Sequence, residues 1–377
     1  MRLSNLKFSE EDKLILNLLS RRVTVQEVVI DEPYNFLNTV NEHRCAALVY
    51  KEFNRIKTKN NVVARTQELL KNKCRDSFAC SLLLNREINQ VQRKLEENEI
   101  NHIYLKGFSL ARLAYESLFD RPSVDVDIFI QKKDYLKVIS ILESVGFYLP
   151  TKKILSTIRS QYTLVKKVTA SYSVYLDIHF EISNDIRVNQ NISFIDFYEK
   201  SERRNIGGVN FLLNGLSFSF IHSCFHLAKH FNQGDNIRII WLYDIYLISE
   251  SDNFNVQETI TLTIQKQMSL VVSEVVQLVS IHLPFTDKSK QLLDGLKSKN
   301  ENNFEYLIYK SERYINIIIR QFLSNEGFRK KLIFIKETIF PSKEHIKNKY
   351  NLESEEYICY FYLKRVITGL VKWFKKR

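Results

Sequence analysis

Proline, glycine, tryptophan and methionine are all scarce in this chain, with 5, 9, 2 and 2 copies in 377 residues. Such a composition leaves no place for a disordered low-complexity tract, and 25 Phe with 19 Tyr suit a folded interior. Cysteine is also sparse. Cys45, Cys74, Cys80, Cys224 and Cys359 are odd in number and never spaced CxxC, which argues against a disulfide framework and a thiolate zinc site and for a reducing, cytoplasmic setting. Long apolar runs are missing too. The stretches 211–228 and 269–285 are broken by Asn214, His222 and His226, and by Glu274, Gln277 and His282, so neither reads as a membrane span. The opening Met1 to Lys7 holds no apolar signal core. No internal repeat of 20 to 50 residues marks a solenoid. Acidic residues fall short of basic ones, 43 against 55, for a formal net charge of +12. That excess suits polyanionic partners such as nucleotides, nucleic acid or anionic lipid, and it equally suits solvated helix faces.

A chain of this length carries two or three domains, or one domain with large extensions. Ser9 followed by Glu10, Glu11 and Asp12 signals a helix start ahead of Leu14, Ile15, Leu18 and Leu19, and the segment 61–98 contains neither Gly nor Pro. The first region, 1–98, therefore reads as helical, with no titratable cluster of its own. The second, 99–213, mixes types: strands at 100–105 and 124–130, helices at 109–117 and 133–144, strands at 162–168 and 173–182, and a hairpin turned by Gly207 and Gly208. The third, 214–377, reads as helical, with Asn214 as a candidate N-cap for a helix bearing His222, His226 and His230 four residues apart. The expected fold is α+β: a small mixed-sheet core flanked by helical N- and C-terminal regions.

Chemistry concentrates in the middle region. Strand residues alternate faces, so Asp125 and Asp127 project to one side while Val124, Val126 and Ile128 face the interior. Asp177, His179 and Glu181 alternate in the same way on a later strand. Carboxylates crowded on one sheet face repel unless something cationic sits among them. With Lys106-Gly107 at the turn into a helix, they can hold divalent metal beside a phosphate chain.

Lys106-Gly107, the helix with Tyr115, Arg121, Asp125-Val126-Asp127 and Leu176-Asp177-Ile178-His179 resemble the uncharacterised nucleotidyltransferase family of the DNA polymerase β superfamily. The downstream His222, His226, Lys229, His230, Arg238, Trp241 and Asp244 are similar to the helix pair that follows the catalytic core in that family, so the likeness runs from about 100 to 250. Related proteins include nucleotidyltransferase toxins of the abortive-infection type. The resemblance implies transfer of a nucleoside monophosphate from an NTP to a hydroxyl-type acceptor with release of pyrophosphate. It implies that Asp125 and Asp127 bind two Mg²⁺ ions, and that Asp177 shares the catalytic metal and helps the acceptor lose its proton. Paired metals suit a reaction that gathers negative charge on the attacking, leaving and non-bridging oxygens. Gly107 would let the backbone approach the phosphates, with Ser109 and the first helix amides as donors and Lys106, Arg121 or Lys229 as counter-charges. One departure stands out: Phe108 separates Gly107 from Ser109, where most of the superfamily has Gly-Ser or Gly-Gly.

The bland readings stand beside these. A lone Asp-x-Asp is usually a solvated strand edge. His222 and His226 lack the glutamate of an HExxH zinc helix, which leaves either a polar wall to the cleft or ordinary packing. The basic end from Lys364 to Arg377 fits a contact with nucleic acid or membrane, or a solvated helix end. The acceptor stays open among metabolite, protein and RNA. Two rival functions remain: a toxin-like enzyme adding nucleotides to tRNA, and a degenerate nucleotide- or RNA-binding module without turnover.

Overall fold

The computed structural model describes residues 3, 6–22, 28–55, 60–150, 160–183, 186–284 and 286–296. Beyond these it describes 319, 322–323, 327–340, 343, 346, 350, 358–364 and 368. Most of the basic C-terminal stretch lies outside the described residues. The N-terminal region is helical: α1 (Glu10–Leu19), α2 (Pro33–Glu42), α3 (Ala46–Arg55) and the 37-residue α4 (Asn61–Glu97). Local chemistry accounts for their starts. Ser9 and Asp12 close a capping box at α1, and the Asn60 side chain accepts from the amides of Val62 and Val63 at α4. With no glycine or proline to break it, α4 runs about 55 Å.

The mixed part follows as β1 (His102–Leu105), α5 (Lys106–Leu113), β2 (Asp125–Ile130), α6 (Tyr135–Ser144), β3 (Gln161–Lys167), β4 (Ser173–His179), α7 (Ile186–Asn191), α8 (Phe194–Glu199), β5 (Glu202–Ile206) and β6 (Val209–Leu213). The strands form one sheet in the order β3-β4-β2-β1-β6-β5. Its pairings are mixed: β2 with β4 and β1 with β6 run parallel, the rest antiparallel. Then come α9 (Leu216–Gln233), α10 (Ile239–Glu250), α11 (Val256–Gln265), α12 (Ser269–His282), α13 (Asp287–Leu296) and α14 (Phe328–Ile339).

The mixed sheet with helices around it is the expected architecture, with three local differences. Val124 precedes the strand and is exposed, because β2 begins at Asp125. The helix after β1 starts at Lys106, three residues earlier than the pattern suggests. Asn214 does not cap α9. Its amide donates to the Tyr104 carbonyl, prolonging the β6 to β1 pairing, and Gly215 takes the cap position. A side chain at Gly215 would run into the Lys200 carbonyl oxygen at 2.1 Å, so glycine is required there.

Two hydrophobic clusters lie on opposite sheet faces. One joins Tyr104, Val126, Ile128, Leu176 and Ile178 to α6 and the C-terminal half of α4. The other joins Ile103, Leu105 and Phe129 to the N-terminal helices and α9 to α13. The second cluster surrounds the chemistry. All five cysteines are free, and no described helix is long and apolar enough to cross a membrane.

His102 shows how the first cluster tolerates a polar side chain. Its Nδ1 lies 2.7 Å from the Ile100 carbonyl oxygen, its Nε2 meets the Gln92 amide at 2.7 Å, and burial lowers its pKa below the ordinary value. A depressed imidazole stays neutral in the fold but protonates in the unfolded chain, so stability must fall as pH drops below about 6.5. We expect a loss of up to about 1.4 kcal/mol per pH unit from this residue. Urea titrations at pH 7 and 5.5 check it: the gap between the two should narrow in His102→Phe.

Candidate active site

The register of the sheet builds the site. Leu105, Asp127, Asp177 and Thr163 form one row across β1, β2, β4 and β3, each the direct partner of the next. Adjacent strands are about 4.8 Å apart, so two carboxylates sit side by side. The neighbouring row on the opposite face is Tyr104, Ile128, Ile178 and Tyr162, all buried.

The repulsion within this pair is answered by cations. Lys106 Nζ donates to Asp127 Oδ1 at 2.5 Å, and His179 Nε2 meets the same oxygen at 2.7 Å. Burial would raise the Asp127 pKa, but Lys106 and His179 outweigh it and hold the carboxyl well below its usual range. Asp177 moves the other way. Burial pushes it up, and the Asp127 charge adds to this against a hydrogen bond donated by Thr163. Gln161 Nε2 donates to the second Asp177 oxygen at 3.0 Å.

Ligand atoms of Asp127, Asp177 and His179 lie within 4.8 Å of one another. Two hard carboxylates and an imidazole, converging beside a lysine that already supplies positive charge, fit a divalent cation. Asp125 lines the same cavity two residues earlier on the same face, outside that close trio.

The cavity has a volume of about 1090 Å³. Lys106, Gly107, Arg121, Asp125, Asp127, Asp177 and Lys229, all expected at the site, line it. Ser109 does not: it is fully buried in α5, its hydroxyl without a partner among the described residues, while Ser123 faces the cavity near Gly107. Gly107 sits in the first turn of α5, and a Cβ there would meet Ser123 Oγ at 3.0 Å and Arg121 Nη1 at 3.2 Å. Lys106, just before it, adopts the left-handed φ of +49°, an uncommon strain for a lysine that aims a charge at Asp127.

Arg121 is buried, and its guanidinium grips Asp244 on α10 through two bonds, Nε to Oδ1 at 2.8 Å and Nη2 to Oδ2 at 2.9 Å. The Tyr115 hydroxyl donates to the same carboxylate at 2.6 Å. Three residues of the motif thus form a tie between α10 and the segment leading into β2. His222, His226 and His230 form a wall of the cavity, with Trp241 against the last two rings. Burial pushes the His222 imidazole down to about 3, and His226 is likewise lowered by burial, so these two rings are neutral at pH 7; His230 Nδ1 lies 2.7 Å from an Asp235 carboxylate oxygen.

The N-terminal region contributes more than scaffold. Asp12, His43 and Arg44 line the cavity, though no periodicity or cluster in the sequence marks them. Thr163 and Gln161 were open to detection, since strand alternation puts them on the carboxylate face.

Removing Arg121 alone would leave a buried Asp244 carboxylate without its counter-charge. Arg121→Met should therefore cost about 3–5 kcal/mol, whereas adding Asp244→Leu should recover much of that loss. Chemical denaturation of the two variants and the double variant checks this.

Residues 31–284, more than half of the chain, match the family described as uncharacterised nucleotidyltransferase. No curated protein matches. Among solved structures, an antigenic nucleotidyltransferase-like protein from Paracoccidioides brasiliensis is similar at 15% identity and a TM-score of 0.38, over 60% of this chain and 98% of that one. From the family match over the whole sheet and the helices α2 to α12, the chain belongs to the uncharacterised nucleotidyltransferase family.

Proposed function

We propose that this protein is a Mg²⁺-dependent enzyme of the cytoplasm that moves an NMP from an NTP to a hydroxyl-type acceptor and releases pyrophosphate. The observation that carries the reading is the side-by-side Asp127 and Asp177, with His179 and Lys106, at the wall of a cavity large enough for a nucleotide. Family membership supports the reaction class.

In this reading the acceptor oxygen attacks the α-phosphorus, the bond to the β-phosphate oxygen breaks, and the electron pair leaves with pyrophosphate. Asp125, Asp127 and Asp177 would hold the metal pair, which when bound supplies positive charge to the phosphate oxygens. Asp177, whose pKa burial raises, is suited to receive the acceptor's proton. Lys106 neutralises Asp127 in the free protein, and in the complex its ammonium can turn to a phosphate oxygen. Gly107 keeps the first turn of α5 tight against Ser123, whose hydroxyl is a candidate phosphate donor in place of Ser109. The neutral His222 and His226 border the space without adding charge. The net charge of +12 favours RNA, including tRNA, among possible acceptors.

Purified protein, Mg²⁺ and each α-labelled NTP should yield pyrophosphate and transfer the label to one class among added RNA, protein and metabolites. Asp127→Asn should lower turnover more than about 100-fold while remaining folded by circular dichroism, and His179→Gln about 10–100-fold. Wild-type protein that binds nucleotide without needing Mg²⁺ and forms no pyrophosphate would instead identify a binding module.

A further inference from the structure

Arg44 and Arg238 are cations of the cavity that nothing above employs. Arg44 sits in the turn between α2 and α3 with a left-handed φ of +58°, and Arg238 immediately precedes α10. Among the described residues neither guanidinium has a hydrogen bond or an ion pair to a carboxylate. Arg121 in the same cavity is fully matched by Asp244. The Arg238 guanidinium lies 5.2 Å from the Trp241 ring centre. Burial lowers the Arg44 pKa, with Arg238 next as a repelling neighbour and Asp125 opposing both. Like charges brought together, half-buried and unmatched, cost free energy unless an anion joins them.

Their position is imposed rather than incidental. His43, adjacent to Arg44, accepts at Nδ1 from the backbone amide of Ile239, adjacent to Arg238, at 3.1 Å. The other ring nitrogen, Nε2, donates to Asp12 on α1 at 2.7 Å. One imidazole thus bolts the α2–α3 turn to the start of α10 and fixes the two arginines as neighbours. Arg44 also feels Asp125, Arg121 and Asp127, and all of them line the same cavity.

Resting on the nucleotidyl-transfer reading above, we infer that Arg44 and Arg238 form a phosphate subsite that grips the β- and γ-phosphates of the NTP donor. Guanidinium forks match phosphate oxygens with two bonds each, and a triphosphate tail supplies the anion that the pair lacks. The donor site is then built jointly by the N-terminal helices and α10, and His43 acts as a positioning residue for it.

Inorganic triphosphate is the probe, because it binds without turnover and reports the subsite separately from catalysis. Its binding to the full chain is measured by calorimetry and by tryptophan fluorescence, since Trp241 adjoins Arg238. Arg44→Gln and Arg238→Gln should each weaken binding about tenfold or more and Arg44→Lys less, all with thermal melts near wild type, whereas His43→Ala should weaken binding several-fold and also lower the melt. In transfer assays the arginine changes should raise the KM for NTP and leave the KM for acceptor unchanged. Unaltered triphosphate affinity in both glutamine variants, or a rise confined to the KM for acceptor, would overturn the assignment. Wild-type triphosphate binding with Arg44 dependence but no NMP transfer would sustain the subsite while defeating the reaction proposed above.

Discussion

The structure turns on a juxtaposition that is unfavourable by itself: two aspartates directly opposite one another on parallel strands, one of them almost wholly removed from water. A fold can keep such a pair only by bringing positive charge to it. Lys106 does this from the end of β1 and His179 from β4, both on a single Asp127 oxygen, which leaves Asp177 the more basic of the two carboxylates. The two acids are thereby differentiated by their surroundings, one held well below the usual carboxylate range and the other pushed up.

Much of this was legible because strand periodicity is rigid. Alternation alone puts Asp125 with Asp127 and Asp177 with His179, and the β2–β4 register aligns the two sets. The hairpin at Gly207-Gly208 and the start of α1 at Ser9 follow equally from local rules. What the sequence hid depends on contacts between remote segments. Arg121 reads as a free phosphate ligand until Asp244, more than a hundred residues later, occupies its fork. Ser109 reads as a phosphate donor at the first position of a helix until α5 is seen to begin at Lys106, which leaves that hydroxyl buried. Asn214 reads as a cap until its amide is claimed by β1. His43 and Arg44 carry no local signature and Asp12 signals only a helix start, since their place at the cavity comes from where the helices of the N-terminal region pack.

Packing also explains why the site has walls on every side. The sheet supplies the acidic face, α9 the histidines, α10 the anchor for Arg121, and the α2–α3 turn a further wall. Interior hydrogen bonds at each junction are few but directional: the Arg121–Asp244–Tyr115 tie and the Asp12–His43–Ile239 bridge join elements that share little sequence proximity. Each is buried enough that loss of one member strands a polar partner.

The long α4 has a mechanical consequence. Its first half packs with α2 and α3 in one hydrophobic cluster, through Val63 and Leu70, and its second half with the sheet in the other, through Leu84, Ile88, Val91 and Leu95. A single unbroken helical rod spanning both clusters resists hinging between the amino-terminal helices and the sheet. The cavity then keeps a standing mouth, where the lining residues Lys7, Ser9, Asp235 and Asn236 are exposed.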